Sequence, residues 1–232
     1  MPMVDILGSI DEKIENLIKE NNNIENLANL LYENSQAYSK EKQIIKLGDI
    51  VVFSNTGADA IQKAPIVEYD TGIRCARVGD FSNDRPIYEW GFCEISAPLF
   101  EQYQLKENDI LITRTATLGL AKFIDEDASA VYNNGLIRLK INETTAIPRY
   151  IYQVLKSKDF IDYIAGIEGA SSTRPNMKIN YLLNYKFELI SKKEQQEFDN
   201  KYSLLRKKQV NNEQTIKALT KLRDLYLKKF FG

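Results

Sequence analysis

The chain has 232 residues, 44% of them hydrophobic and 27% charged, with a formal net charge of −1, which suits one packed core with a large solvated surface. It contains no histidine, which removes Ser-His-Asp and Cys-His nucleophile systems, histidine-containing zinc sites and the commonest general base near neutral pH. No apolar run approaches the ~18 residues that span a bilayer, and no basic region precedes an apolar one at the N-terminus, so the expected location is the cytoplasm, without membrane contact.

The first predicted element is a long helix over residues 1–42. Leu7, Ile14, Asn21 and Ala28 recur at seven-residue spacing, and Ile10, Leu17, Ile24 and Leu31 follow each by three. That is the a/d seam of a coiled coil. Ser9 and Glu12 have the spacing of a capping box at its start. Residues 43–191 then read as mixed helix and strand. Strands are predicted at Asp49–Phe53, Gly72–Val78, Asp109–Arg114, Leu120–Ile124 and Gly135–Ile141, separated by Gly, Asn and Asp turns. A helix opens at Pro148, with Tyr150, Ile151, Val154, Leu155, Phe160, Ile161 and Ile164 on its inner face. A polar loop over 166–176 precedes a last strand at Tyr185–Ile190.

The final segment, 192–232, is a second long helix opened by a Ser191-x-x-Glu194 capping box. Phe198, Leu205, Asn212, Leu219 and Tyr226 form one row, and Tyr202, Gln209, Ile216, Arg223 and Phe230 the other. Polar residues interrupt this seam, and Asn21, Gln209 and Asn212 at such positions set register and partner choice at some cost in stability. Residues 1–42 carry 4 basic and 8 acidic side chains, net −4, against 11 basic and 5 acidic, net +6, over 192–232. Opposite charge and the intervening body predict an antiparallel coiled coil built on Ile10, Ile14, Leu17, Asn21, Ile24 and Leu31 against Leu205, Gln209, Asn212, Ile216 and Leu219. About 30 residues of each helix would reach roughly 45 Å. The two segments also match at an offset of 192, pairing Ile10 with Tyr202, Ile24 with Ile216 and Leu30 with Leu222. The expected fold is therefore α+β: one domain with an irregular sheet, flanked by two long helices.

Sites of chemistry are sparse. There is no G-x-x-x-x-G-K-[ST] loop, no G-x-G-x-x-G turn and no E-x-K triplet. Cys75 and Cys93 fit no metal spacing and are expected to be unbonded thiols. Trp90, Tyr88 and Phe92 are assigned to packing. Base readout needs forked donors and short polar groups on loops. Two stretches supply them: Arg114, Thr115 and Thr117; and Ser171, Ser172, Thr173, Arg174, Asn176 and Lys178; Lys63, Arg74 and Arg77 are candidate phosphate or base contacts in a third. Residues 43–191 carry 16 basic and 19 acidic groups, net −3, so any DNA-binding surface must be a local patch.

Several phrases, in order, resemble the DNA specificity subunit of Type I restriction-modification systems. They are Lys46-Leu47-Gly48-Asp49-Ile50, Gly72-Ile73-Arg74 with Val78-Gly79-Asp80-Phe81, and Glu107 to Arg114 followed by Thr117-Leu118-Gly119. Asn133-Asn134-Gly135-Leu136-Ile137, Pro148-Arg149-Tyr150-Ile151-Tyr152 and Gly169 to Thr173 leading to Asn176-Met177-Lys178-Ile179 complete them. The helices, through Ile10 to Glu15 and Leu225 to Gly232, resemble the family's spacer helices. Two departures stand out: the chain holds one target recognition domain between two helices where full-length members alternate two of each, and Arg114-Thr115-Ala116-Thr117 lacks the glycine usual after the arginine.

The resemblance implies a non-catalytic subunit that selects the DNA sequence and docks methyltransferase subunits, the partner rather than this chain binding S-adenosylmethionine. With one recognition domain per chain, a homodimer on an interrupted palindrome is expected, with a restriction subunit as a further partner. Competing readings are a coiled-coil interaction or decoy protein that binds methyltransferase subunits without reading DNA, and a divalent-metal nuclease.

Overall fold

The computed structural model describes residues 3–57, 66–169 and 176–231, which fall into two compact units: Met1–Tyr38 with Gln196–Gly232, and Ser39–Gln195.

The first unit is a helix pair. Helix α1 spans Met3–Tyr38, and the last helix of the chain, α7, spans Lys192–Phe231 and contributes its length beyond Gln195. Their 36 and 40 residues give about 54 and 60 Å, more than the roughly 45 Å reckoned for about 30 residues of each. Ile10, Ile14, Leu17, Ile24 and Ala28 are buried, Asn21 and Leu31 half-buried, and Leu205, Gln209, Ile216 and Leu219 half-buried along α7. Cross-helix contacts fix the direction: Asp11 meets Arg223 at 3.3 Å, Glu20 meets Asn212 at 2.9 Å and Glu25 meets Gln209 at 3.3 Å. As one residue number rises the other falls, so the pair is antiparallel. Asn212, 3% exposed, donates to both Glu20 and Asn21. Glu20 and Asn212 are themselves 192 residues apart, so the polar layer joins equivalent positions of the two similar segments.

Ser9 does not cap α1. The helix begins at Met3, upstream of it, and the Ser9 hydroxyl donates to the Asp5 carbonyl one turn back. The box at the start of α7 does form: the Ser191 N–H donates to Glu194 Oε2 at 3.1 Å and the Glu194 N–H lies 3.4 Å from Ser191 Oγ.

The second unit is built on three sheets. Strands β1 (Lys42–Lys46) and β10 (Lys186–Ile190) pair antiparallel, with Lys42 opposite Ile190, so the chain enters and leaves this unit on adjacent strands. A four-stranded antiparallel sheet follows the order β2-β9-β6-β7, formed by Val51–Thr56, Leu136–Ile141, Asp109–Thr113 and Ala121–Phe123. The other runs β3-β5-β4-β8, formed by Ile66–Val67, Phe92–Cys93, Arg74–Ala76 and Ala130–Tyr132, with β4 and β8 parallel. Its core buries Trp90, whose indole N–H donates to the Arg85 carbonyl, beside Phe81 and the free thiols of Cys75 and Cys93.

Short helices fill the connections: α2 (Val78–Ser82), α3 (Ala97–Tyr103), α4 (Pro148–Val154), α5 (Lys158–Gly169) and α6 (Ile179–Leu183). Several predicted boundaries shift, among them the end of α1, which stops at Tyr38 rather than at residue 42, where β1 opens. The strand expected through Val78 ends at Ala76 because Asp80 accepts the Arg77 N–H and starts α2. The first predicted strand begins at Val51, after a 3₁₀ turn over Leu47–Asp49. The helix expected to run from Pro148 through Ile164 breaks between Val154 and Lys158 and leaves Ile161 exposed, while Tyr150, Ile151, Val154, Leu155, Phe160 and Ile164 are buried.

Candidate functional site

Strand polarity gathers a set of loops at one edge of the two larger sheets. The last residues of β2 and β6 lie opposite the first of β9, with Thr56 facing Ile137 and Thr113 facing Leu136. In the other sheet β4 and β8 end together, Ala76 beside Tyr132. The turn Asn133-Asn134-Gly135 carries the chain from β8 to β9 and so links the sheets at that edge. Around it sit Gly57 after β2, Arg77-Val78 after β4, the β6–β7 loop from Arg114 to Leu120, and Asn176-Met177-Lys178.

Close approach explains the glycines. A Cβ on Gly57 would lie 2.3 Å from the Tyr132 carbonyl oxygen and 2.4 Å from the Asn133 carbonyl carbon, so only glycine fits where β2 exits. One on Gly135 would meet Val78, Thr115 and Asn133 at 2.8, 3.0 and 3.1 Å. The Asn133 side chain folds the turn, accepting the Gly135 N–H at 2.9 Å, while the Asn133 N–H donates to the Ala76 carbonyl.

Arg114 ties three of these segments together. Its Nε donates to the Met177 carbonyl at 3.1 Å, Nη1 to the carbonyl and side-chain oxygens of Asn134, both at 3.2 Å, and Nη2 to Asn176 Oδ1 at 2.8 Å. Backbone bonds run alongside: the Arg114 N–H to the Gly135 carbonyl, the Met177 N–H to the Arg114 carbonyl, and a bridge between Thr115 and Asn176. Burial pulls the Arg114 guanidinium below its usual range. Next in the loop, Ala116 adopts φ +60°, the left-handed region. Leu118 is buried, and Gly119 turns at φ +80° against Ile164 of α5.

The structure thus brings Arg77, Arg114, Thr115, Thr117, Asn176 and Lys178 to one edge. Thr117, Asn176 and Lys178 are exposed, and Arg77, Arg114 and Thr115 half-buried. Arg74 stands apart: its guanidinium donates to the Trp90 carbonyl and lies over the Phe92 ring, 4.0 Å from the centroid. Lys63, Ser171, Ser172, Thr173 and Arg174 lie outside the described residues. Asn133, Asn134, Gly135 and Gly57 were not among the candidates. Their sequence signal is an Asn-Asn-Gly turn between two β-prone runs and a glycine at a strand exit.

Among the described residues these segments hold Arg77, Arg114 and Lys178; the Arg77 guanidinium is turned toward the buried Cys75 thiol, and the carboxylate that accepts the Arg77 N–H, Asp80, is 6% exposed. The edge offers cations, amides and hydroxyls, which suits phosphates and base edges. Among the described residues no cluster of carboxylates, cysteines or histidines could hold a metal ion, and no helix is long and apolar enough to cross a membrane.

The profile of the Type I restriction modification DNA specificity domain matches residues 39–221. The chain belongs to this family. Solved structures share its fold at low identity. The S subunit of the Type I restriction-modification system from M. genitalium is 17% identical with a TM-score of 0.69, the match covering 97% of this chain and 58% of that one. The HsdS subunit from Thermoanaerobacter tengcongensis is 13% identical, TM-score 0.51, covering 97% and 55%. A structure bearing on complex assembly and conformational transition of the type I R-M system is 14% identical, TM-score 0.50, covering 99% and 60%. This specificity-domain chain therefore spans a little over half the length of those chains. Comparison with curated proteins yields no match. Specificity subunits are in general non-catalytic, and the matched domain is named for DNA specificity.

Proposed function

We propose that this chain reads one half of a bipartite DNA site through the edge centred on Asn133-Asn134-Gly135, and that its helix pair docks methyltransferase subunits that bind S-adenosylmethionine and transfer the methyl group. The observation that carries the reading is the convergence of the polar groups of Thr115, Thr117, Asn176 and Lys178 on one edge beside Arg114, inside a body of net −3. Phosphate contacts by the cations set register, and the amides and hydroxyls read base edges. One recognition domain per chain calls for two copies on an interrupted palindrome. A restriction subunit is a further partner of the assembled complex.

The test is an electrophoretic shift with a library of bipartite duplexes, using the full chain with and without co-expressed methyltransferase subunits, followed by methylome sequencing of cells expressing both. Selective, salt-sensitive retention of one motif, methylated in cells, is the expected result. The negative charge of residues 43–191 favours one rival, a decoy that engages methyltransferase subunits without reading DNA. Stable methyltransferase binding with no motif enriched at any salt concentration would establish the decoy and overturn the proposal.

A further inference from the structure

We infer that Arg114 acts as a positioning residue, locking the β6–β7 loop, the Asn133–Gly135 turn and the Asn176–Lys178 segment into one surface rather than touching DNA with its own charge. The inference rests on the reading of this edge as the DNA interface and assigns a role within it.

Three features support it. The guanidinium makes four hydrogen bonds to three residues on two other segments, Asn134, Asn176 and Met177. Those segments are distant in sequence, 20 and 62–63 residues from Arg114. Ordering them together is thus a long-range constraint that local turn chemistry does not supply. Third, the group is half-buried while Thr117, Asn176 and Lys178 beside it are exposed, so the neighbours present themselves and the arginine sits beneath. A planar fork of donors suits such a junction. A lysine ammonium keeps the charge but cannot reach three acceptors in divergent directions.

Arg114→Lys, Arg114→Gln and the milder Asn176→Ala provide the test, in two arms. In the first, amide hydrogen exchange of the free full-length protein should show the Gly135, Leu136 and Met177 amides losing protection together in Arg114→Lys, by about tenfold or more, as expected when at least one net hydrogen bond is lost. The amides of Ile110 and Ile112 in β6 should keep theirs, which separates loosened loops from a misfolded domain. Asn176→Ala, which removes one acceptor, should loosen Met177 more than Gly135.

In the second arm, the chain assembled with methyltransferase subunits is titrated with target and non-target duplexes at several salt concentrations. Arg114→Lys and Arg114→Gln should lose target preference equally, with an unchanged slope of log affinity against log salt. Wild-type selectivity in Arg114→Lys, or a slope smaller by about one in Arg114→Gln, would mean direct phosphate or base contact and overturn the inference. Unchanged protection in all three variants would overturn it as well. If the loops loosen as described but the wild-type assembly prefers no duplex, the locking role stands and the proposed DNA-reading function fails.

Discussion

Ala116 occupies a backbone conformation that an L side chain adopts at a cost of about 1–2 kcal/mol. The bonds of Arg114 and the seating of Leu118 and Gly119 hold the loop on both sides of it. Strain therefore sits at the exposed tip, a common situation at binding loops. Ala116→Gly should relieve it and, after the entropy that glycine adds to the unfolded chain, raise stability by roughly 0.5–1 kcal/mol. A urea unfolding midpoint reports the change. A midpoint that falls would show that the Ala116 methyl group makes a contact worth more than the strain. The residues of this edge were partly legible beforehand: Thr115, Thr117, Asn176 and Lys178 announced themselves as polar loop groups. The inward role of Arg114 and the packing role of Arg74 were not, because composition does not reveal whether a guanidinium faces solvent or a carbonyl.

Among the elements, the long helices were the most readable, since a seven-residue period persists over many turns and survives a polar interruption. Strands β3, β5 and β8 have two or three residues each and no pattern of their own. Tertiary pairing alone creates them. The start of α7 offers a pH test. Glu194 accepts hydrogen bonds from the Ser191 hydroxyl and N–H and from the Ser39 hydroxyl. These bonds, the Ser191 hydroxyl foremost, hold its carboxyl below the ordinary value of 4.5. A carboxylate depressed in the folded state contributes stability above its unfolded value, and that contribution disappears as pH falls through the folded value. Thermal unfolding should accordingly show the wild type losing more stability than Glu194→Gln between about pH 5 and about pH 3. Parallel acid limbs would exclude this linkage. On the helix pair, Asn212 is buried against Glu20 and Asn21. Asn21→Leu with Asn212→Leu should raise the melting temperature of this unit by about 2–4 °C and admit alternative pairings, visible by native mass spectrometry. A lower melting temperature with one unchanged assembly state would count against a register role.

For the molecule as a whole, the α+β class, the flanking helices and their antiparallel sense followed from periodicity and from net charges of −4 and +6 at the two ends. Those charges attract only modestly, because the pairs that form, Lys208 with Glu20 and Arg223 with Asp11, are largely exposed. The meeting of two sheets at one edge was not legible, since the parallel pairing of β4 with β8 joins segments more than 50 residues apart. The proposed two-copy arrangement predicts a dimer in sedimentation analysis of the full chain at micromolar concentration, or on addition of the target duplex. A monomer that retains complete recognition of a bipartite site would defeat it.

Two of the four bonds from the Arg114 guanidinium end on main-chain oxygens, those of Met177 and Asn134. Every amino acid at those two places offers the same main-chain acceptor, so that half of the attachment is indifferent to the side chain there, while the other half needs the side-chain oxygens of Asn134 and Asn176. Under the proposed function, exchange of the outward-facing Thr117 and Lys178 side chains alters the target while leaving those main-chain fastenings in place.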